Sequence, residues 1–148
     1  MSERIEQILR NRSKGEIWSV SPGATVYEAL ALMAEKEIGA LMVVENGRLA
    51  GVISERDYAR KVILQGKHSK DTPVSEIMST DLVTVTPAHY VDECMRLMSD
   101  FRVRHLPVLD GERLVGVVSI GDLVKAIITD QAQTIDQLHT YIGGTYPA

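Results

Sequence analysis

A seven-residue stretch occurs twice in this chain, as Gly51-Val52-Ile53-Ser54-Glu55-Arg56-Asp57 and as Gly116-Val117-Val118-Ser119-Ile120-Gly121-Asp122. Each closes an apolar run of β character and opens a helical one, with a glycine, an apolar pair, a hydroxyl and a carboxylate in register. The likeness extends further. Residues 20–63 lie over residues 85–128 at a constant offset of 65 without a gap, and Val20/Val85, Pro22/Pro87, Glu28/Glu93, Leu32/Leu97, Met33/Met98 and Arg48/Arg113 are identical pairs. The chain is therefore read as two copies of one unit. Units of about 60 residues are marginal alone, so the copies are expected to pack face to face about a pseudo-twofold and to share a core.

In chain order, residues 1–16 offer Ser2 as a cap and Ile5, Ile8 and Leu9 as one face of a short helix over Glu3–Asn11, ended by Lys14-Gly15. The first copy, residues 17–66, opens with extended Ile17-Trp18-Ser19-Val20, where Trp18 reads as a lid over the edge of the core. After a turn at Pro22-Gly23, Thr25 caps a helix to Lys36 with Val26, Ala29, Leu30, Leu32 and Met33 on its apolar face. Ala40–Val44 and Leu49–Ile53 are strands about a hairpin turn at Glu45-Asn46-Gly47-Arg48, and a helix from Glu55 to Leu64 follows. The unit is β-α-β-β-α, an α/β (α+β) fold. Residues 67–81 connect the copies through a polar surface loop and a short helix at Val74–Met78, placed beneath the second copy.

The second copy, residues 82–130, repeats the plan. Val83–Thr86 is extended, Val91–Phe101 is helical, and strands Leu106–Leu109 and Leu114–Val118 flank a turn at Asp110-Gly111-Glu112 before a helix that starts near Ile120. Residues 131–148 prolong that helix through Ile135, Leu138 and Tyr141-Ile142 until Gly143-Gly144 stops it. This overhang is a cover for the core or a subunit contact.

Several function classes are disfavoured. A net charge of −4 does not suit nucleic acid, whose binding depends on Lys and Arg neutralising phosphates. Cys94 is the only cysteine and replaces Ala29 of the first copy, so it reads as a small buried residue in a reducing compartment. No apolar run is long enough to cross a bilayer, and Met1-Ser2-Glu3-Arg4-Ile5-Glu6 lacks a secretion signal's apolar stretch, so a soluble, cytoplasmic protein is expected. His68, His89 and His139 lack metal-ligand spacing. With no activated nucleophile, acid/base pair, Walker loop or GxGxxG fingerprint, catalysis is not expected.

The repeated stretch carries the chemistry. A strand feeds a helix N-terminus, where free N–H groups and the helix dipole favour an anion, and Ser54 and Ser119 add a hydroxyl there. Three residues on, Asp57 and Asp122 can accept hydrogen bonds from the vicinal hydroxyls of a ribose. The same Ser-x-x-Asp spacing also fits a capping box, in which the acid turns back to the helix start. Residue types and spacing leave both roles open.

With Ile38-Gly39-Ala40-Leu41-Met42-Val43 and Val103-Arg104-His105-Leu106-Pro107-Val108 ahead of the two Gly-apolar-apolar-Ser-x-x-Asp closes, residues 17–130 resemble a tandem pair of CBS domains, named for cystathionine β-synthase. The resemblance implies one pseudo-twofold module whose clefts bind adenosine-containing ligands such as AMP, ADP, ATP, NAD or S-adenosylmethionine, commonly as a homodimer. It also implies a regulatory, signal-transduction role of the stand-alone bacterial type. It assigns Asp57 and Asp122 to ribose and Ser54 and Ser119 to ribose or phosphate. Arg56, Arg104 and His105 then face phosphates, while Val20, Ile38, Ala40, Val85, Val103 and Pro107 line the base pocket. Arg56 is matched by Gly121, and Arg104-His105 by Gly39-Ala40, so the clefts are expected to differ in charge. The expected function is adenine-nucleotide sensing relayed to a separate effector protein; the alternatives are an interaction scaffold with degenerate sites and a nucleotide-hydrolysing enzyme.

Overall fold

The computed structural model describes residues 3–11 and 17–145, with side chains as far as His139. Its elements are α1 (Ile5–Arg10), β1 (Ser19–Val20), α2 (Val26–Lys36), β2 (Ala40–Glu45), β3 (Arg48–Ser54), α3 (Glu55–Tyr58), α4 (Val74–Ile77), α5 (Val91–Phe101), β4 (His105–Asp110), β5 (Arg113–Ser119) and α6 (Ile120–Thr145). This is the mixed α/β class expected, with one five-stranded sheet in the order β1-β2-β3-β5-β4. β1 pairs parallel with β2, β2 antiparallel with β3, and Arg48 of β3 faces Arg113 of β5. The extended Val83–Thr86 stretch is not one of the five strands.

Local chemistry accounts for the elements. Thr25 is extended and its Oγ1 accepts the Glu28 N–H at 3.1 Å, so α2 starts with a satisfied donor. Val26, Ala29 and Met33 recur at helical spacing and are buried. α2 ends on Glu37 and α5 on Arg102, both left-handed at φ 55, in equivalent positions of the two copies. Between β2 and β3, Asn46 and Gly47 take φ of 53 and 78, the positive pair that a two-residue hairpin of type I′ requires.

The chain divides into two compact units. One comprises residues 16–84 with 107–117, and its core gathers Val26, Met33, Leu41, Val43, Ile53 and Val62 together with Val74 and Ile77. α4 therefore belongs to the core of the first copy, not beneath the second as the sequence suggested. The reason is a backbone arm: Val26 N–H bonds to Thr72 O, Val74 N–H to Ala24 O and Ser75 N–H to Pro22 O, at 2.9, 2.8 and 3.0 Å.

The other unit comprises residues 1–15, 85–106 and 118–148. Its arm is the N-terminal segment. Val91 N–H bonds to Glu3 O, Ile5 N–H to His89 O and Glu6 N–H to Pro87 O, at 2.8, 2.9 and 2.9 Å. These are the same three bonds displaced to the second copy. Ile5 and Val74 are each fully buried at the head of their arms. Each copy thus carries the helix that precedes the other in the chain: α4 folds back on the first copy, and α1 serves the second.

Three further expectations are corrected. α1 is capped by Arg4, whose N–H donates to Gln7 Oε1 at 2.9 Å; Ser2 and Lys14-Gly15 lie outside the described residues. The helix after β3 is α-helical only to Tyr58 and widens into a π-helical turn over Ala59–Ile63. α6 continues through Gly143-Gly144 to Thr145, because two glycines lower helix propensity without removing a donor.

Candidate functional site

Two strand-to-helix corners carry the repeated stretch. In the first, β3 delivers Ser54 in extended geometry to the start of α3. Its Oγ accepts the Asp57 N–H at 3.1 Å, and Asp57 Oδ2 accepts the Ser54 N–H at 2.9 Å and the Ser54 hydroxyl at 3.0 Å. In the second, Ser119 Oγ accepts the Asp122 N–H at 3.1 Å and Asp122 Oδ2 accepts the Ser119 N–H at 2.8 Å. Both motifs are therefore closed capping boxes. The capping alternative is realised, and at the first corner Asp57 Oδ1 lies outside the box.

The carboxylates differ in company. Lys61 Nζ lies 3.1 Å from Asp57 Oδ1 and also donates to Ile77 O at 3.0 Å, tying the corner to α4. The second copy has Ala126 in place of Lys61. Sequence reasoning missed Lys61, although its i,i+4 spacing from Asp57 is the usual signal for such a pair. At the second corner the neighbour is His105: the Asp122 charge favours its protonation, but burial outweighs this and Arg104 opposes it, so the imidazole is held below its ordinary value.

The loop ahead of each second strand closes over its own corner. Gly39 O accepts the Glu55 N–H at 3.0 Å and Arg104 O accepts the Ile120 N–H at 2.9 Å. A side chain at Gly39 would start 3.2 Å from Glu55 Oε1. The second copy carries Arg104 at that position and Ile120 opposite. Charge is thus distributed differently at the two corners, Arg56 and Lys61 at one and Arg104 at the other.

The structure brings Ser54 and Asp57 together, and Ser119, Asp122 and His105 likewise, all half-buried. Arg56 and Arg104 are exposed. Of the apolar set, Val20, Ile38, Ala40 and Val103 are half-buried and accessible, whereas Val85 and Pro107 are buried core positions. Cys94 is buried and its thiol is pushed up to about 11, first by burial and then by Glu93 and Asp92, which leaves it protonated and unreactive. Among the described residues no group of His, Cys, Asp and Glu is placed to hold a metal ion, and no helix is long and apolar enough to cross a membrane.

The geometry agrees with what known proteins show. The CBS domain family model matches residues 7–63 and 74–129, each span taking in one arm helix and one corner. A mitochondrial CBS domain-containing protein of Arabidopsis thaliana is 40% identical over 154 residues, covering 98% of this chain and 74% of its own length. A solved structure from Burkholderia ambifaria, provisionally described as a signal-transduction protein with CBS domains, has a TM-score of 0.83 at 52% identity and covers 87% of this chain and 96% of that one. A CBS domain pair solved in complex with 5′-methylthioadenosine and S-adenosyl-L-methionine has a TM-score of 0.76 at 25% identity, covering 88% and 99%. The class is a duplicated CBS module. This chain belongs to the CBS domain family and carries two CBS domains in tandem.

Proposed function

We propose that the chain is a non-enzymatic regulatory protein that binds an adenosine-containing ligand, AMP, ADP, ATP or NAD, at its Ser-x-x-Asp corners and relays occupancy to a separate effector, as a cytoplasmic homodimer. The observation that carries this reading is the pair of half-buried Ser and Asp side chains at helix starts, with an exposed arginine at each corner, Arg56 next to Asp57 in the chain and Arg104 through its carbonyl on the Ile120 N–H. A carboxylate at that place can accept from a ribose hydroxyl, and the arginine suits a phosphate. That a structural neighbour holds adenosyl ligands supports the class of ligand. At the first corner ribose has to share Asp57 with Lys61, so occupancy would draw on the contact between Lys61 and α4. A response of this kind can be no larger than the ligand's preference for one arrangement over the other.

A panel of AMP, ADP, ATP, NAD, NADH and S-adenosylmethionine, followed by thermal shift and calorimetry, tests the reading. Asp57→Asn and Asp122→Asn keep an acceptor for the helix cap while removing the charge. Each should weaken binding at its own corner by about tenfold or more, with little change in melting temperature. Absence of any stabilisation by the whole panel would sink the proposal. The closed capping boxes favour a second reading, an interaction scaffold in which the motif only starts helices. Under it neither substitution changes the response to any ligand of the panel.

A further inference from the structure

Lys61 stands on the π-helical turn Ala59–Ile63, where Leu64 N–H reaches back five residues to Ala59 O at 3.2 Å. Turns of this kind are rare and often coincide with functional positions. In the second copy α6 runs on from Ile120 as α-helix, and Ala126 occupies the equivalent place. The first copy therefore departs from the repeat where it places this lysine.

The Lys61 ammonium has three N–H donors and no acceptor. One goes to Asp57 Oδ1 at 3.1 Å and a second to Ile77 O at 3.0 Å, so the group is held between the corner and the end of α4. The third is left, on a side chain 46% exposed, whereas the Asp57 side chain is 14% exposed. A flexible four-carbon stem lets the ammonium turn without leaving the corner. Its charge matters here because Glu55, the first residue of α3, adds a second carboxylate where the second copy has Ile120. Arg56 and Arg60 are exposed, and charges on exposed side chains are weakened by water and salt. Lys61 is the cation in direct contact with the acid that would hold ribose.

A ligand at this corner changes what Lys61 touches. Ribose hydroxyls that donate to Asp57 Oδ1 take acceptor capacity from the ammonium, and a neutral nucleoside returns nothing for it. A phosphate on the same ribose returns a charge-assisted hydrogen bond. We propose that Lys61 makes the first corner selective for adenosine ligands that carry a phosphate. It sets that corner against adenosyl compounds without one, S-adenosylmethionine included, whose own positive charge meets the ammonium. Ala126 imposes no such demand at the second corner. The inference rests on the ligand reading above and adds to it which members of that class the first corner accepts.

Calorimetry of the full chain with AMP and with adenosine, in the Asp122→Asn background that weakens the second corner, reads the preference of the first. AMP should bind more tightly than adenosine. Lys61→Met should cut that preference about tenfold or more, through weaker AMP binding, tighter adenosine binding or both, since one charge-assisted hydrogen bond is at stake. A merely structural lysine would lower both affinities together and leave their ratio unchanged. Lys61→Gln, which keeps a donor for Ile77 O, gives the same readout should the methionine variant fail to fold. A preference that survives these substitutions while both compounds bind overturns the role of Lys61 and leaves the ligand reading standing. Adenosine bound as tightly as AMP by the corner with Lys61 in place overturns it equally. If neither compound binds this corner the proposal fails, and the full ligand panel then decides whether the ligand reading fails with it.

Discussion

Gly51 opens the first repeated stretch, and what approaches it is backbone. A Cβ there would lie 2.8 Å from both Met78 Sδ and Ser79 O, where Val52 and Ser79 exchange two hydrogen bonds of 3.0 and 2.8 Å. The sulfur could swing aside, but the carbonyl is fixed by that bridge. Gly51→Ala should therefore destabilise the chain by about 1–3 kcal/mol in urea unfolding, through overpacking; an unchanged midpoint would mean the 78–79 segment moves freely. His105 makes a prediction about pH. Burial lowers its pKa from the ordinary 6.5 despite Asp122, so the unfolded chain binds the proton more readily than the folded one. Stability is then complete above pH 6.5 and falls as pH drops through the folded value. Between about pH 7.5 and 5.5 the wild type should lose more unfolding free energy than His105→Gln, since the variant lacks this titration. Equal losses in the two proteins would show that burial does not govern this histidine.

Among the elements, the two arms show what the sequence could and could not reveal. The internal offset, the hairpin at Asn46-Gly47 and the Thr25 cap were legible because each is local: a turn residue, a cap or a period can be read within a few positions. The corners were legible as Ser-x-x-Asp but not as to role, because one spacing serves a cap and a ribose alike. The arms were illegible, since Glu3–Glu6 and Thr72–Ser75 share almost no residue identity and make equivalent contacts through backbone atoms. Only a fully buried apolar residue, Ile5 or Val74, is common to them. Ile5→Ala should thus cost about 2–4 kcal/mol. Amide exchange should quicken at Ile5, Glu6 and Val91, whose N–H groups make this arm's bonds, while Val26, Val74 and Ser75 keep their protection. Uniform loss of protection in both places would show that the arms are not separate local fastenings.

For the whole molecule, the path of the chain argues for a single cooperative transition. β4 and β5 both run through the boundary between the compact units: His105 and Leu106 belong to one and Pro107 to the other, and Val117 is followed across it by Val118. Neither unit can lose its part of those strands without disturbing the continuation in the other, and units of this size are marginal alone. Two native reporters follow them separately. Trp18, the only tryptophan, sits under Lys36 Nζ at 4.1 Å from its ring centroid and reports on the unit of residues 16–84. Cys94, the only cysteine, is fully buried on α5 and reports on the other by pulsed thiol labelling. In a urea series both should change at one midpoint with one slope, as a two-state chain requires. If Cys94 became reactive at a clearly lower concentration than Trp18 changed, the strands would not couple the units. A ligand bound at Asp122 would then stabilise the Cys94 transition alone; with coupling, it raises both by the same mass-action increment.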